Sequence, residues 1–119
     1  MWPLKLSARQ RQGQLGEQRA LAYLQQHGLT LLEANFRCKV GEIDLIMRDG
    51  AALVFVEVRQ RTAGAPVKAG ASITPAKMRR IVRAAQFYLQ RLERLPACRI
   101  DVVAIDGETL AWLRDAIQA

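Results

Sequence analysis

Two short segments constrain the fold of this chain more than any others. They are Gly41-Glu42-Ile43-Asp44-Leu45-Ile46 and Phe55-Val56-Glu57-Val58-Arg59-Gln60-Arg61. Between them stands Asp49-Gly50, a pair that favours a two-residue hairpin because glycine takes the positive φ such a turn needs. Closing the hairpin on that pair sets Ile46 opposite Leu53, Asp44 opposite Phe55 and Glu42 opposite Glu57. Side chains alternate along a strand. Glu42, Asp44, Glu57 and Arg59 then share one face, and Ile43, Leu45, Val54, Val56 and Val58 the other. A three-residue turn would slip the pairing by one and send Asp44 and Glu57 to opposite faces.

A face with three carboxylates and one guanidinium has two readings. One is the solvated outer face of an amphipathic hairpin, common in antiparallel sheets. The other is a seat for a divalent cation. Like charges directly opposite one another destabilise a sheet, and a cation would offset that repulsion.

The charge balance narrows the partners. The formal net charge is +7 and the isoelectric point is near 10.3, which points to a polyanion. The excess is local. Arg59, Arg61, Lys68, Lys77, Arg79, Arg80 and Arg83 follow one another with no acid among them. A solvated basic face is the plain reading of that run, and a nucleic-acid surface is the one its one-sidedness favours. Cys38 and Cys98 form no close pair and His27 is the single histidine, so zinc-ligand spacing is absent. The N-terminus lacks an apolar leader, and no stretch approaches the ~18 apolar residues of a membrane span. The expectation is a cytoplasmic protein with free thiols and no membrane association.

At 119 residues, half of them hydrophobic, the chain suits one domain with its own core. Residues 1–12 read as a basic, flexible arm. A helix is expected over residues 14–27, ended by Gly28, and a strand over 29–35. The hairpin strands fall at 41–48 and 51–60, and a Gly- and Pro-bearing loop at 61–72. Thr74 caps a second helix with Pro75 in its first position, and the helix ends before Pro96. Met78, Ile81, Val82, Ala85, Leu89 and Leu92 form its apolar stripe. A strand over 99–105 precedes a turn at Asp106-Gly107 and a short terminal segment holding Trp112, which is expected to pack on the core. Three strands in a meander and a fourth reached through a helix give an α/β fold with a mixed sheet.

The second helix breaks a rule. Lys77, Arg79 and Arg80 occupy its first two turns, where the helix dipole favours acids and each misplaced cation costs about 0.3–1 kcal/mol. A bound phosphate would reverse that sign. Long side chains reaching into salty solvent would also blunt it.

Gly16-Glu17, Asn35-Phe36-Arg37, the two hairpin segments, Thr74 with Lys77, and Arg99-Ile100-Asp101-Val102-Val103 occur in the order seen in the YraN-like family. This bacterial family resembles Holliday-junction resolvases and the restriction-endonuclease-like PD-(D/E)XK superfamily. The resemblance spans about residues 13–106. It implies a single endonuclease-like domain over 13–119, a mixed sheet with flanking helices and the order αβββαβ plus a short C-terminal element. It places the superfamily's two acids at Asp44 and Glu57, its helical glutamate at Glu17 and its basic position at Arg59. Asp44 and Glu57 would hold Mg2+ or Mn2+, and the activity implied is hydrolysis of DNA, branched DNA included. Arg61 and Lys77 match family positions and would contact phosphate, with Lys68, Arg79, Arg80 and Arg83 extending the nucleic-acid surface. Asp101 also matches, as a supporting or purely structural residue, and Glu42 would support the site by pairing with Arg59 or Arg61. Resolvase-like relatives often dimerise, so a homodimer is open, although no patch in the sequence marks an interface.

One residue departs from the pattern. Where the family usually has lysine, this chain has Arg59. Lysine can give up a proton when its pKa is lowered, and arginine cannot. Arg59 could hold a phosphate through two hydrogen bonds, or pair with the acids and act as an internal cation. The alternative to a nuclease is therefore a nucleic-acid-binding module that keeps the fold without the catalysis.

Overall fold

The computed structural model describes residues 7–119. Its elements are α1 (Ala8–Gln26), β1 (Thr30–Cys38), β2 (Gly41–Asp49), β3 (Ala52–Arg61), a 3-10 turn (Gly70–Ser72), α2 (Pro75–Leu89), β4 (Cys98–Asp106) and β5 (Thr109–Ile117). The expected α/β order is present, and the short terminal element is a full fifth strand. The strands lie side by side in chain order. β1–β2, β2–β3 and β4–β5 are antiparallel, while β3–β4 is parallel. The parallel pair follows from α2, since two parallel neighbours need a long crossover. The result is a mixed sheet consistent with a restriction-endonuclease-like fold. Among the described residues no helix is long and apolar enough to cross a membrane, and Cys38 and Cys98 are free thiols.

Three boundaries differ from expectation. α1 starts at Ala8, well inside the segment read as a flexible arm. Ser7 accepts a hydrogen bond from the Gln10 amide, and the Gln10 side chain accepts one from the Ser7 amide. This reciprocal cap outweighs the weak helix propensity of Gly13 and Gly16. Residues 1–6 of the expected arm lie outside the described residues. β1 runs on to Cys38, keeping its pairing with β2 through Phe36, Arg37 and Cys38 even though Asn35 takes a left-handed conformation, φ 54°. α2 stops at Leu89, so Leu92 lies beyond it and is exposed rather than buried.

Each face of the sheet carries one helix. On one face Ala20 and Leu24 of α1 pack with Leu45, Met47, Val54, Val56, Val103 and Ile105. On the other, Ile81, Ala84 and Ala85 of α2 pack with Phe36, Ile43, Ile46, Phe55 and Val102. Trp112 of β5 lies against the α1-side core, as expected.

The hairpin register needs one correction. Asp49 pairs with Ala52, so Gly50 and Ala51 form the turn, with Gly50 at φ 60°. Ile46 therefore faces Phe55 rather than Leu53. The shift is two residues in total, which preserves the faces. Extended one step beyond Leu45–Val56, the register sets Asp44 across from Glu57. The regular ladder ends at Leu45–Val56. There the Asp44 carboxylate accepts the Val58 amide at 2.8 Å, in place of a backbone carbonyl. The strand turns over at this point, and Ile43 joins the α2-side core while Leu45 stays in the α1-side core. The expectation that the two share a face is overturned for this reason.

Gly41 begins β2 where the hairpin presses on α2. A Cβ there would stand 2.7 Å from the Arg80 carbonyl oxygen. Backbone cannot swing aside as a side chain can. Gly41→Ala is expected to cost about 1–3 kcal/mol in urea denaturation, and an unchanged midpoint would refute the close fit.

Candidate functional site

Glu57 is buried, at 3% exposure. β3 holds it there because its neighbours on either side, Val56 and Val58, pack into the α1-side core, which turns Glu57 to the other face. Burial pushes its carboxyl well above the ordinary range. Asp44 pushes it further, both by its charge and by a hydrogen bond that favours the neutral form. Lys77 and Arg59 pull the other way and are outweighed.

Glu17 approaches the same acids from α1. Its Oε1 is buried with no hydrogen-bond partner. Its carboxyl is raised to about 7, first by burial, then by Asp44 and Glu42, with Arg37 opposing. Asp44 thus faces one acid from β3 and another from α1. The register sets Asp44 beside Glu57, and Glu17, which the family resemblance added to the pair, lies within electrostatic reach of Asp44.

Two cations stand at Glu57. Lys77 Nζ is 3.7 Å from its Oε2, and Arg59 NH1 is 3.9 Å from the same oxygen. Lys77 sits in the first turn of α2, where Thr74 Oγ1 accepts its amide at 3.1 Å. Its misplacement against the helix dipole is offset by this buried acid. Arg59 is tethered elsewhere too. Its Nε donates to Ser72 Oγ at 3.1 Å and its NH2 to the Ser72 carbonyl at 3.3 Å. Ser72 Oγ in turn donates to the Ala69 carbonyl at 2.6 Å. The loop and its 3-10 turn therefore fix Arg59 beside the acid.

The donor set fits a small hard cation. Mg2+ commonly takes only one or two carboxylates, keeping waters and substrate phosphate as its other ligands. Asp44 and Glu57 supply that pair, and Glu17 Oε1 is a buried oxygen with no hydrogen-bond partner. Among the described residues no three His, Cys, Asp or Glu side chains gather closely enough to enclose an ion by themselves. The site is an open two-acid site.

The remaining residues disperse. Glu42 pairs with Arg37 at 3.5 Å on the surface, not with Arg59 or Arg61, because the strand turns over between it and Glu57. Arg61 donates back to the Gln60 carbonyl. Lys68 is exposed in the loop. Arg79 and Arg83 line a hollow beside the C-terminal residues Gln118 and Ala119, away from the acids. Arg80 instead turns with Lys77 toward the β1–β2 turn. Asp101 is fully buried and accepts from Arg99, Trp112 and the Asp115 amide, so its role is structural. Sequence reasoning missed Ser72, Arg37 and Lys39. The signal for the last two was present, since Lys39 lies in the tight turn before Gly41 and Arg37 two residues ahead of it in β1.

The model of the uncharacterised protein family UPF0102 matches residues 16–105; this is the YraN family anticipated from the motifs. A UPF0102 protein of Janthinobacterium sp. (strain Marseille) is 58% identical over 113 residues, 95% of this chain and 92% of the relative. One from Herminiimonas arsenicoxydans is 55% identical, with 95% and 91% covered. One from Cupriavidus metallidurans is 59% identical, with 92% and 83% covered.

Proposed function

The chain belongs to the uncharacterised protein family UPF0102, and on that premise we propose that it is a metal-dependent, endonuclease-like hydrolase acting on DNA phosphodiester bonds. The observation that carries this reading is the adjacent pair of acids, Asp44 and buried Glu57, with Lys77 and Arg59 at 3.7 and 3.9 Å from Glu57. Asp44 raises both Glu57 and Glu17, which come from different layers of the fold. A structural ion pair does not need a second carboxylate pressed against a buried one, and a divalent cation held by two carboxylates does. Mg2+ or Mn2+ at Asp44 and Glu57 would supply an activated water and stabilise charge on the scissile phosphate.

The chain's own groups have definable tasks. Lys77 and Arg59 would hold a phosphate oxygen next to Glu57, since both heads already point there. Glu17, with a carboxyl near 7, can hold or release a proton at neutral pH, the range in which general acid–base groups work best. Arg59 keeps its charge throughout.

The test is cleavage of linear and branched DNA with Mg2+ or Mn2+. Cleavage is expected with the metal, and chelation or Asp44→Asn should abolish it. Asn can still accept the Val58 amide, so the fold should survive. Cleavage by clean Asp44→Asn protein would sink the assignment. Arg59→Lys is expected to raise the rate by up to about a hundredfold, because it frees the head from Ser72 and allows proton transfer. An unchanged rate would show that arginine already suffices.

A second reading is a binding module without catalysis. It is favoured by the Ser72 tether, which holds Arg59 as a fixed internal cation beside Glu57. DNA binding with no cleavage under either metal would select it.

A further inference from the structure

A cleft of about 430 Å³ opens beside the acids, between the β1–β2 turn and the first turns of α2. Its walls carry four cations, Arg37, Lys39, Lys77 and Arg80, and one carboxylate, Glu42. Arg37 pairs with Glu42 at 3.5 Å, and Lys77 stands 3.7 Å from Glu57. Lys39 and Arg80 are exposed and have no carboxylate partner among the described residues. Clustered cations repel one another, so a cleft that leaves two of them unpaired favours an anion. Gly41 makes the cleft possible, since any side chain there would push the turn away from the Arg80 carbonyl. Lys77 borders both this cleft and the acid site, so the two are continuous.

We propose that the cleft binds a backbone phosphate of DNA adjacent to the one at the acid site. This rests on the proposed function for its choice of DNA, but not on the metal or on catalysis. Lys39 and Arg80 touch the anion directly, Lys77 bridges to the next phosphate, and Glu42 keeps Arg37 turned along the wall. No base edge is read by this arrangement, so the cleft adds affinity without sequence preference.

The experiment measures binding of a short labelled DNA duplex by the full chain, in chelator, over a range of salt. Each phosphate that the protein ceases to neutralise lowers the slope of log affinity against log salt by about 0.9. Lys39→Gln with Arg80→Gln removes both contacts to that phosphate and is expected to lower the slope by about 0.9 and to weaken binding about tenfold or more at low salt. Arg94→Gln removes an exposed charge outside the cleft and serves as the control. Unchanged binding by the double variant would overturn the inference, as would an equal effect per charge at Arg94 or failure of the unaltered chain to bind DNA. Magnesium-dependent cleavage retained alongside unchanged binding by the double variant would remove this inference alone. Loss of binding through the cleft in a protein that never cleaves would remove catalysis alone.

Discussion

Asp101→Ala is expected to destabilise the protein by about 3–5 kcal/mol, the usual cost of stripping one partner from a buried charged network. Asp101 is fully buried. Its Oδ1 accepts from Arg99 Nε at 3.0 Å and the Asp115 amide at 2.9 Å, and its Oδ2 from Trp112 Nε1 at 2.9 Å. Arg99 also reaches Asp49 at 2.9 Å. One carboxylate therefore ties β4 to β5 and, through Arg99, to the end of β2. It also holds Asp115 in a left-handed conformation, φ 51°, that few side chains adopt unaided. Alanine would leave three donors without their acceptor. Asp101→Asn keeps an acceptor but not the charge and should fall between. Urea denaturation measures both, and a loss below about 1 kcal/mol for alanine would contradict the network's role.

The second large effect is a pH dependence opposite to that of ordinary carboxylates. Glu17 sits near 4.5 when unfolded and is raised to about 7 when folded. The folded chain therefore holds the proton more tightly. That stability is fully present below pH 4.5 and is lost as pH rises through about 7. Glu57, also raised, extends the loss to higher pH. Glu17 is only half shielded, so solvent screening reduces its share to about 1–2 kcal/mol. Denaturation at successive pH values should show falling stability over this window, and Glu17→Gln should flatten the lower part. Mn2+ should offset the fall, because carboxylates bind metal in their ionised form and give up protons to do so. Stability that rises steadily from acid to neutral pH in the absence of metal would contradict the reading of these acids.

The strands and the hairpin were legible because period-two patterning and Asp49-Gly50 are local signals. Asp44, Glu57 and Glu17 were singled out by the motifs, but the surroundings of Asp44 and Glu17 depend on two features no local rule contains. One is the turnover of β2 at Asp44, which trades a ladder hydrogen bond for a side-chain one. The other is the reach of α1 over the sheet, which buries one oxygen of Glu17. The early start of α1 was written in Ser7 and Gln10 and masked by two glycines. β5 was hidden because its outward residues are mostly exposed and its pairing comes from β4, with Trp112 anchored by an acid eleven residues earlier. The basic run from Arg59 to Arg83 looked like one surface. The fold divides it, sending Lys77 and Arg80 one way and Arg79 and Arg83 another.

Calorimetric titration of Mn2+ into the metal-free chain above pH 7, where Glu17 is ionised, tests the central claim most directly. The account predicts saturable binding by the unaltered chain and binding weaker by more than about tenfold for folded Asp44→Asn. No binding by the unaltered chain, or equal binding by Asp44→Asn, would show that Asp44 and Glu57 do not form a metal site.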